Sequence, residues 1–369
     1  MPEGQLSDTA VYSARPTIRV NGQDNERVTG LFLAMELIEQ ESGLSALELR
    51  LSNVASLDSG TAELAFEDED SVKLGDRIGV YAGDRTGPTE IFSGIVTGLE
   101  ADFPEGGSPT LTVLAEDRLQ EARLKRRTRT FEDSSLADIA RSIAADHGLT
   151  PVINGFDTTY PVQVQMNESD LAFLRRLFAR YDGDLQVVDD ELQIAQRGDA
   201  KRNEIELGLH SQLRRATVLA DLSHQASEIT VTGWDAERGE RFTGRSTGAH
   251  AGPGSGRSAR DVLLDAVPWR SMQMSGFAIS TGDEAGVVAD RLIDTRQRRF
   301  VTLQAVAEGN PALRVGTHVA LTGLGPRFSN TYYVTGCRHR FDVQHGYEID
   351  FTAECGFIGN AASVPFPQP

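Results

Sequence analysis

Cysteine is nearly missing from this sequence, with two in 369 residues. That scarcity excludes a disulfide framework and fits a reducing compartment. Basic charge is also short, with 36 Lys plus Arg against 54 Asp plus Glu and a formal net charge of -18. The balance opposes the attraction that dominates binding to phosphate backbones and anionic lipid, so nucleic acid and membrane surfaces are poor partners. No run approaches the roughly 20 apolar residues that span a bilayer, and Met1-Pro2-Glu3-Gly4-Gln5-Leu6-Ser7-Asp8 lacks the basic start and apolar stretch of a signal peptide. The expectation is a product that stays soluble in the cytoplasm where it is made. Catalytic signatures are missing as well, since neither H-E-x-x-H nor G-x-S-x-G occurs. What is present is enough apolar content, 39% against 24% charged, to build cores, over a length that suggests two to four compact units.

The first 120 residues read as strands and turns. Ile18 and Val20 precede Asn21-Gly22, a dipeptide suited to a hairpin turn, and Leu47, Leu49 and Leu51 alternate with Glu48 and Arg50. Between about 121 and 205 the period changes. Leu136, Ile139, Ala140, Ile143 and Ala144 follow a helical spacing, with Ser134 or Ser135 to cap the start and Gly148 to end it. A second helix carries Leu171, Leu174, Leu177 and Phe178 after Asn167 or Ser169, and a hairpin follows around Asp189-Asp190-Glu191. A strand returns at 228–234. Residues 244–258 hold five glycines and no large apolar residue, which predicts a mobile surface loop that proteases reach first. A third helix is expected from Asp283 to about Gln297.

An internal repeat organises the chain. Leu74-Gly75-Asp76-Arg77-Ile78-Gly79-Val80, then Val96-Thr97-Gly98 and a return at Leu111 to Ala115, is echoed by Val315-Gly316-Thr317-His318-Val319-Ala320-Leu321, Val334-Thr335-Gly336 and Tyr347 to Ala353. The reading is two copies of one β-barrel in a single chain, against chance similarity of two meanders. The fold class expected is mainly β with α+β insertions: two related antiparallel β-barrels plus two smaller subdomains.

Several constellations of residues could carry chemistry. Gly252-Pro253-Gly254-Ser255-Gly256-Arg257-Ser258 superficially resembles a phosphate loop but lacks its first glycine, its lysine and a leading strand. Cys337, His339, His345 and Cys355 offer metal-ligand atoms, yet zinc sites show tighter pairs, and the alternation around Gln344-His345-Gly346 reads as the apolar face of a hairpin. No metal or cofactor is assigned. The acidic runs Glu67-Asp68-Glu69-Asp70 and Asp189-Asp190-Glu191 fall in predicted turns and read as solvated. The basic run Arg123, Lys125, Arg126, Arg127 and Arg129 stands out in an acidic chain, either as solvated surface or as an inter-subunit ion-pair patch that makes these five residues candidate assembly contacts. For the hairpin, a 344–346 loop would place Val343 opposite Tyr347 and Cys355 diagonal to Cys337. Two free buried thiols are expected.

The segment Arg129-Thr130-Phe131-Glu132-Asp133-Ser134-Ser135-Leu136, running on to Gly148-Leu149, and the segment Val164-Gln165-Met166-Asn167-Glu168-Ser169-Asp170-Leu171 resemble the phage late control D family. So do Glu308-Gly309-Asn310-Pro311 with Leu313 and Val315-Gly316, and Phe328 with Tyr332-Tyr333-Val334-Thr335. This family of contractile-tail baseplate hub proteins is similar to the N-terminal part of type VI secretion valine-glycine repeat spike proteins. The resemblance implies a homotrimer, with two barrels per chain forming a pseudo-sixfold adaptor between a hexameric inner tube protein and a trimeric spike, and with baseplate wedge proteins as further partners. It implies no catalytic residues. It also divides the chain into a first barrel at 15–120, an α+β subdomain at 121–210, a second barrel from 211–240 and 300–360, and a loop and helix subdomain at 241–299. Because the sequence ends at Val364-Pro365-Phe366-Pro367-Gln368-Pro369, a separate spike chain is expected. The competing readings are a β-rich cell-wall or glycan hydrolase and a metal- or nucleotide-binding module.

Overall fold

The computed structural model describes residues 15–359 apart from 42, 57–61, 84–87, 236–237, 268, 277–278 and 280. The Met1 to Asp8 and Val364 to Pro369 stretches read above lie outside the described residues. The architecture is mainly β, with antiparallel sheets and α+β insertions. Two sets of six strands dominate it. The first comprises Thr17–Val20, Phe32–Gln40, Ala46–Ser52, Arg77–Ala82, Thr89–Asp102 and Thr110–Asp117; the second comprises Asn203–Gly208, Leu213–Ala220, Val301–Glu308, Thr317–Thr322, Thr331–Asp342 and Gly346–Cys355. Alternation drives them into sheets: Leu47, Leu49 and Leu51 are buried while Glu48 and Arg50 face water.

Both sets follow one order across the sheet. Numbered within each set, the strands run first, fourth, fifth, sixth, third, second. The irregularities coincide too. The fifth strand is bulged between Val96 and Gly98 in one set and between Val334 and Gly336 in the other. The second strand is bulged between Phe32 and Ala34, and again between Leu213 and Arg215. Gly75 (φ +87) donates its N–H to the Val96 carbonyl at 2.9 Å, and Gly316 (φ +84) donates to that of Val334 at 2.9 Å. Chance meanders do not share both bulges and a left-handed glycine. One strand differs. Thr17–Val20, ahead of the Asn21-Gly22 turn, runs antiparallel to Arg77–Ala82, whereas Asn203–Gly208, entering from an insertion, runs parallel to Thr317–Thr322.

The helices begin where side-chain caps allow. Ser135 and Asp138 form a capping box at Leu136–Asp146, Ser169 caps Asp170–Ala179, and Thr281 caps Gly282–Arg298. Their buried faces meet in a second core that joins Ile139, Ile143, Phe173 and Leu177 to Ile229, Val231, Val288 and Ile293. The subdomain boundaries therefore need correcting. Glu228–Asp235 pairs with Glu240–Ser246 and Ser271–Met274 in a separate three-stranded sheet, not with the second six-stranded set, because Ile229 and Val231 bury against the 282–298 helix. Asn203–Gly208 joins the large sheet rather than the 121–210 subdomain.

The expectation of a mobile 244–258 loop is also corrected. Ala249 and His250 donate their N–H groups to Asp294 Oδ1 at 2.8 and 2.9 Å, Gln297 Nε2 donates to the Thr247 carbonyl, and Asn330 grips Ser255 from both sides. Its glycines serve close approach rather than freedom. A Cβ on Gly244 would lie 2.2 Å from the backbone of Ala285 and Gly286, and one on Gly254 would lie 2.8 Å from Cys355 Sγ. Gly244→Ala is accordingly expected to lose about 1–3 kcal/mol or more in urea unfolding, since the 282–298 helix must move to admit the methyl.

In the final hairpin the loop lies one residue earlier than expected, which shifts the strand pairing by two residues. Phe341 faces Tyr347 and Asp342 faces Gly346, which leaves Val343-Gln344-His345 as the loop and Val343 exposed. Asp342 decides this by accepting from the N–H groups of Gln344 and His345, both at 2.8 Å, with Gly346 taking φ +75. Cys337 consequently faces Phe351, while Cys355 faces Val301 across the other neighbouring strand. Both cysteines are buried free thiols.

Candidate functional site

The two six-stranded sets are joined by one strand pair. Phe32–Gln40 lies antiparallel to the second half of Thr331–Asp342, in register from Gly336 opposite Gln40 to Asp342 opposite Ala34. The pairing buries Met35, Leu37, Cys337, His339 and Phe341, and it stacks the Phe32 and Phe341 rings with centroids 5.0 Å apart. On the outer face Arg338 Nε meets Glu36 Oε1 at 3.3 Å.

Each strand of this junction has a counterpart with no such neighbour among the described residues. Val96 corresponds to Val334, and following the pairs across each sheet makes Leu37 the counterpart of Val218, Met35 of Ala216 and Phe32 of Leu213. In the same way Leu99 corresponds to Cys337 and Phe103 to Phe341. Solvent exposure separates the members of several of these pairs, although Phe32 and Leu213 are both buried. Phe341 is 6% exposed and Phe103 is 63%; Cys337 is 3% exposed and Leu99 is 39%. Met35 and Leu37 are buried, whereas Ala216 and Val218 are only partly covered. Among the described residues the repeat thus has one closed junction and, at the matching positions, open edges at 98–103 and 213–220. An unpaired edge with apolar side chains is a template for another strand. Sequence reading found the repeat but missed these edges; Leu99 and Phe103, apolar beside an acidic loop, were the available signal.

The basic run lies elsewhere and is largely engaged within the chain. Arg123 pairs with Glu116 at 2.6 Å, and Arg126 donates to the Asn167 carbonyl at 2.8 Å. Arg127 and Arg129 both reach Asp146 at 2.7 Å, and Arg129 also reaches Asp170 at 2.6 Å. Burial works against the Asp170 charge, but Gln165, His147, Arg129 and Arg127 together hold its carboxyl below the usual range. Lys125 is exposed. Unexplained charge therefore no longer argues that Arg127 and Arg129 meet another subunit, since a local carboxylate pair accounts for them.

Of the four metal-ligand residues weighed from sequence, the structure brings Cys337 and His339 together and adds Glu39; ligand atoms of these three lie within 4.8 Å of one another. His345 sits on the exposed hairpin loop against Asp342, and Cys355 points to the Pro253 and Phe357 carbonyls. Desolvation in this seam pushes the Cys337 thiol well up and the His339 imidazole down to about 4, so both are neutral. Glu39 keeps its charge against the same burial because Arg314 lies on it, with Nε at 2.6 Å.

A second buried cluster fastens the insertions to the large sheet. Asp182 accepts from Arg298 Nη1 at 2.8 Å and from Arg197 Nη1 at 2.8 Å; Arg197 Nε reaches Glu41 at 2.6 Å, and Arg298 Nε reaches Glu354 at 3.3 Å. At the entry to the first insertion, burial pushes the Asp117 carboxyl up to about 6, against the N–H groups of Ser45 and Leu119 that favour its charge. A raised carboxyl favours the neutral form in the folded chain. Its contribution is complete below about pH 4 and is lost as pH rises through 6. The stability of wild type relative to Asp117→Asn should therefore improve by on the order of 3 kcal/mol between pH 7 and pH 4, read from urea midpoints across pH.

A family model described as the Alg8 N-terminal domain matches residues 49–342. No curated protein matches the sequence. Among solved structures, the prophage MuSo2 43 kDa tail protein from Shewanella oneidensis superposes with TM-score 0.68 at 12% identity, covering 92% of this chain and 97% of that one. The tail protein from Neisseria meningitidis MC58 gives 0.66 at 10% identity, covering 92% and 96%. The E. coli c3393 protein, described as a component of the type VI secretion system with structural similarity to T4 bacteriophage tail proteins gp27 and gp5, gives 0.56 at 13%, covering 95% and 80%. At these identities the likeness establishes a shared fold.

Proposed function

We propose, from the fold and the internal repeat of this chain, which belongs to the Alg8 N-terminal domain family, that it is the structural baseplate hub of a contractile tail or injection system, of the phage late control D type. Three copies form a pseudo-sixfold ring that adapts a hexameric inner tube to a trimeric spike, with baseplate wedge proteins around it. The role is structural rather than catalytic, and the particle is assembled in the cytoplasm.

One observation carries this reading: Cys337 and Phe341, buried at the closed junction, have exposed counterparts in Leu99 and Phe103, and Met35 and Leu37 have only partly covered ones in Ala216 and Val218. Repeating the closed junction between chains would lay 213–220 of one protomer along 98–103 of the next. Leu99 would then face Ala220 and Phe103 would face Ala216, with Asp102 diagonal to Arg215. Such a head-to-tail contact generates a ring when its rotation closes. Six equivalent units then come from three chains, which is the symmetry a hexameric tube requires. Lys125 and Arg126, exposed beside the insertion, remain proposed contacts to neighbouring proteins. The acidic turn Glu67 to Asp70 is solvated and adds nothing to a hydrolase reading. Light scattering of the purified protein should give three times the 40.1 kDa chain mass; a monomer or an even-numbered assembly would remove the ring.

A further inference from the structure

Glu39, Cys337 and His339 meet at the strand pair that joins the two halves, where Cys337 stands opposite Glu39 and His339 opposite Leu37. All three are buried. Two of their polar atoms, Glu39 Oε2 and His339 Nε2, are without a hydrogen-bond partner although fully enclosed. A buried acceptor left unmatched costs about 1–3 kcal/mol, and more when it is charged. A ligand atom from each of the three residues lies within 4.8 Å of the others, which suits a ligand that all three can hold.

His339 Nδ1 lies 2.8 Å from the Tyr347 hydroxyl, which can accept its N–H and leave the unpartnered Nε2 with a lone pair. Metal-bound histidines are oriented by such outer partners. Arg314 engages Glu39 through Oε1, leaving Oε2 available. Bonds of about 2.0–2.3 Å to a tetrahedral ion require ligand atoms roughly 3.5 Å apart, a small contraction from the present spread. A cavity of about 640 Å³ that reaches Glu39 and Arg314 offers an entry path.

We propose that Glu39, Cys337 and His339 bind one thiophilic divalent cation, zinc foremost, at the junction between the two halves of the chain. The carboxylate oxygen, the imidazole nitrogen and the thiolate supply three ligands, and a fourth position stays open to water. Binding transfers the Cys337 thiol proton to solvent as the sulfur–metal bond forms. The counterparts of Glu39, Cys337 and His339 on the open edges are Ala220, Leu99 and Ala101, none of them a ligand. The site is therefore confined to the junction within a chain. Each chain holds one ion, and the ion pins the register of that pairing.

The test uses the full chain after treatment with a chelator, titrated first with Co²⁺ and then with Zn²⁺. One equivalent of Co²⁺ per chain should develop a thiolate-to-cobalt absorption that Zn²⁺ abolishes. Cys355→Ser should keep the band, Cys337→Ser should lose it, and Glu39→Gln and His339→Gln should weaken zinc by at least about 10–100-fold, the loss that an outer-shell partner alone produces. Circular dichroism checks that each variant is folded. Wild type that develops no band overturns the site whatever the variants do, and so does a band that survives Cys337→Ser or vanishes with Cys355→Ser.

Discussion

Asp182→Ala is expected to cost on the order of 3–5 kcal/mol of unfolding free energy, because it strands a guanidinium at the base of the insertions. Arg298 is 1% exposed and Asp182 is its bidentate partner, at 2.8 and 3.1 Å. Burial alone would favour a neutral Asp182, but Arg298 and Arg197 overcome it and hold the carboxyl below the usual range. The contribution of a lowered carboxyl is complete above about pH 4 and is lost as pH falls further. Urea unfolding at pH 7 should show the full loss, and the penalty should shrink in acid. Adding Arg298→Met should recover part of it by removing the stranded charge. A loss under about 1 kcal/mol would place the cluster with exposed ion pairs, which contribute little.

Phe103→Asp is expected to dissolve the assembly and leave the protomer intact. At 63% exposure the ring contributes little to the folded chain, yet its counterpart Phe341 is the aromatic anchor of the closed junction. Replacing an interface anchor by a charge should cost about 2 kcal/mol or more, roughly 30-fold in each contact. Arg215→Asp should weaken assembly less, and Arg215→Asp combined with Asp102→Arg should restore it through the exchanged pair. Sedimentation at several protein concentrations, with unfolding midpoints as control, separates assembly from folding. If Phe103→Asp sediments as wild type does, the edge at 98–103 is not an interface.

The repeat was legible because it lies in local chemistry: a glycine at φ +87 or +84 and a Val-Thr-Gly bulge leave the same residues in both copies. Helix starts were legible for the same reason, as Ser135 and Ser169 show. What stayed hidden depends on long-range packing. Ile229 and Val231 read as strand in any sheet, and only the 282–298 helix decides which one. The glycines of 244–258 read as slack because sequence does not display what a Cβ would strike. The hairpin register turned on Asp342, whose side chain selects a loop one residue earlier than alternation suggests. Glu39 was missed beside Cys337 and His339 because some 300 residues of chain separate it from them.

The pairing of one protomer's 98–103 edge with its neighbour's 213–220 edge can be trapped covalently. Leu99→Cys and Ala220→Cys, placed in one chain that also carries Cys337→Ser and Cys355→Ser, stand opposite each other across the proposed contact. Directly opposed residues of an antiparallel pair have Cα atoms about 4.5–5.5 Å apart, inside the disulfide range of about 4.4–6.8 Å. Mild oxidation followed by denaturing, non-reducing electrophoresis should give covalent species of two and three chains and none larger, with either single cysteine alone remaining monomeric after subtraction of random dimers. A ladder that runs past three chains, or no cross-link while the protein remains folded, would contradict the closed three-chain ring.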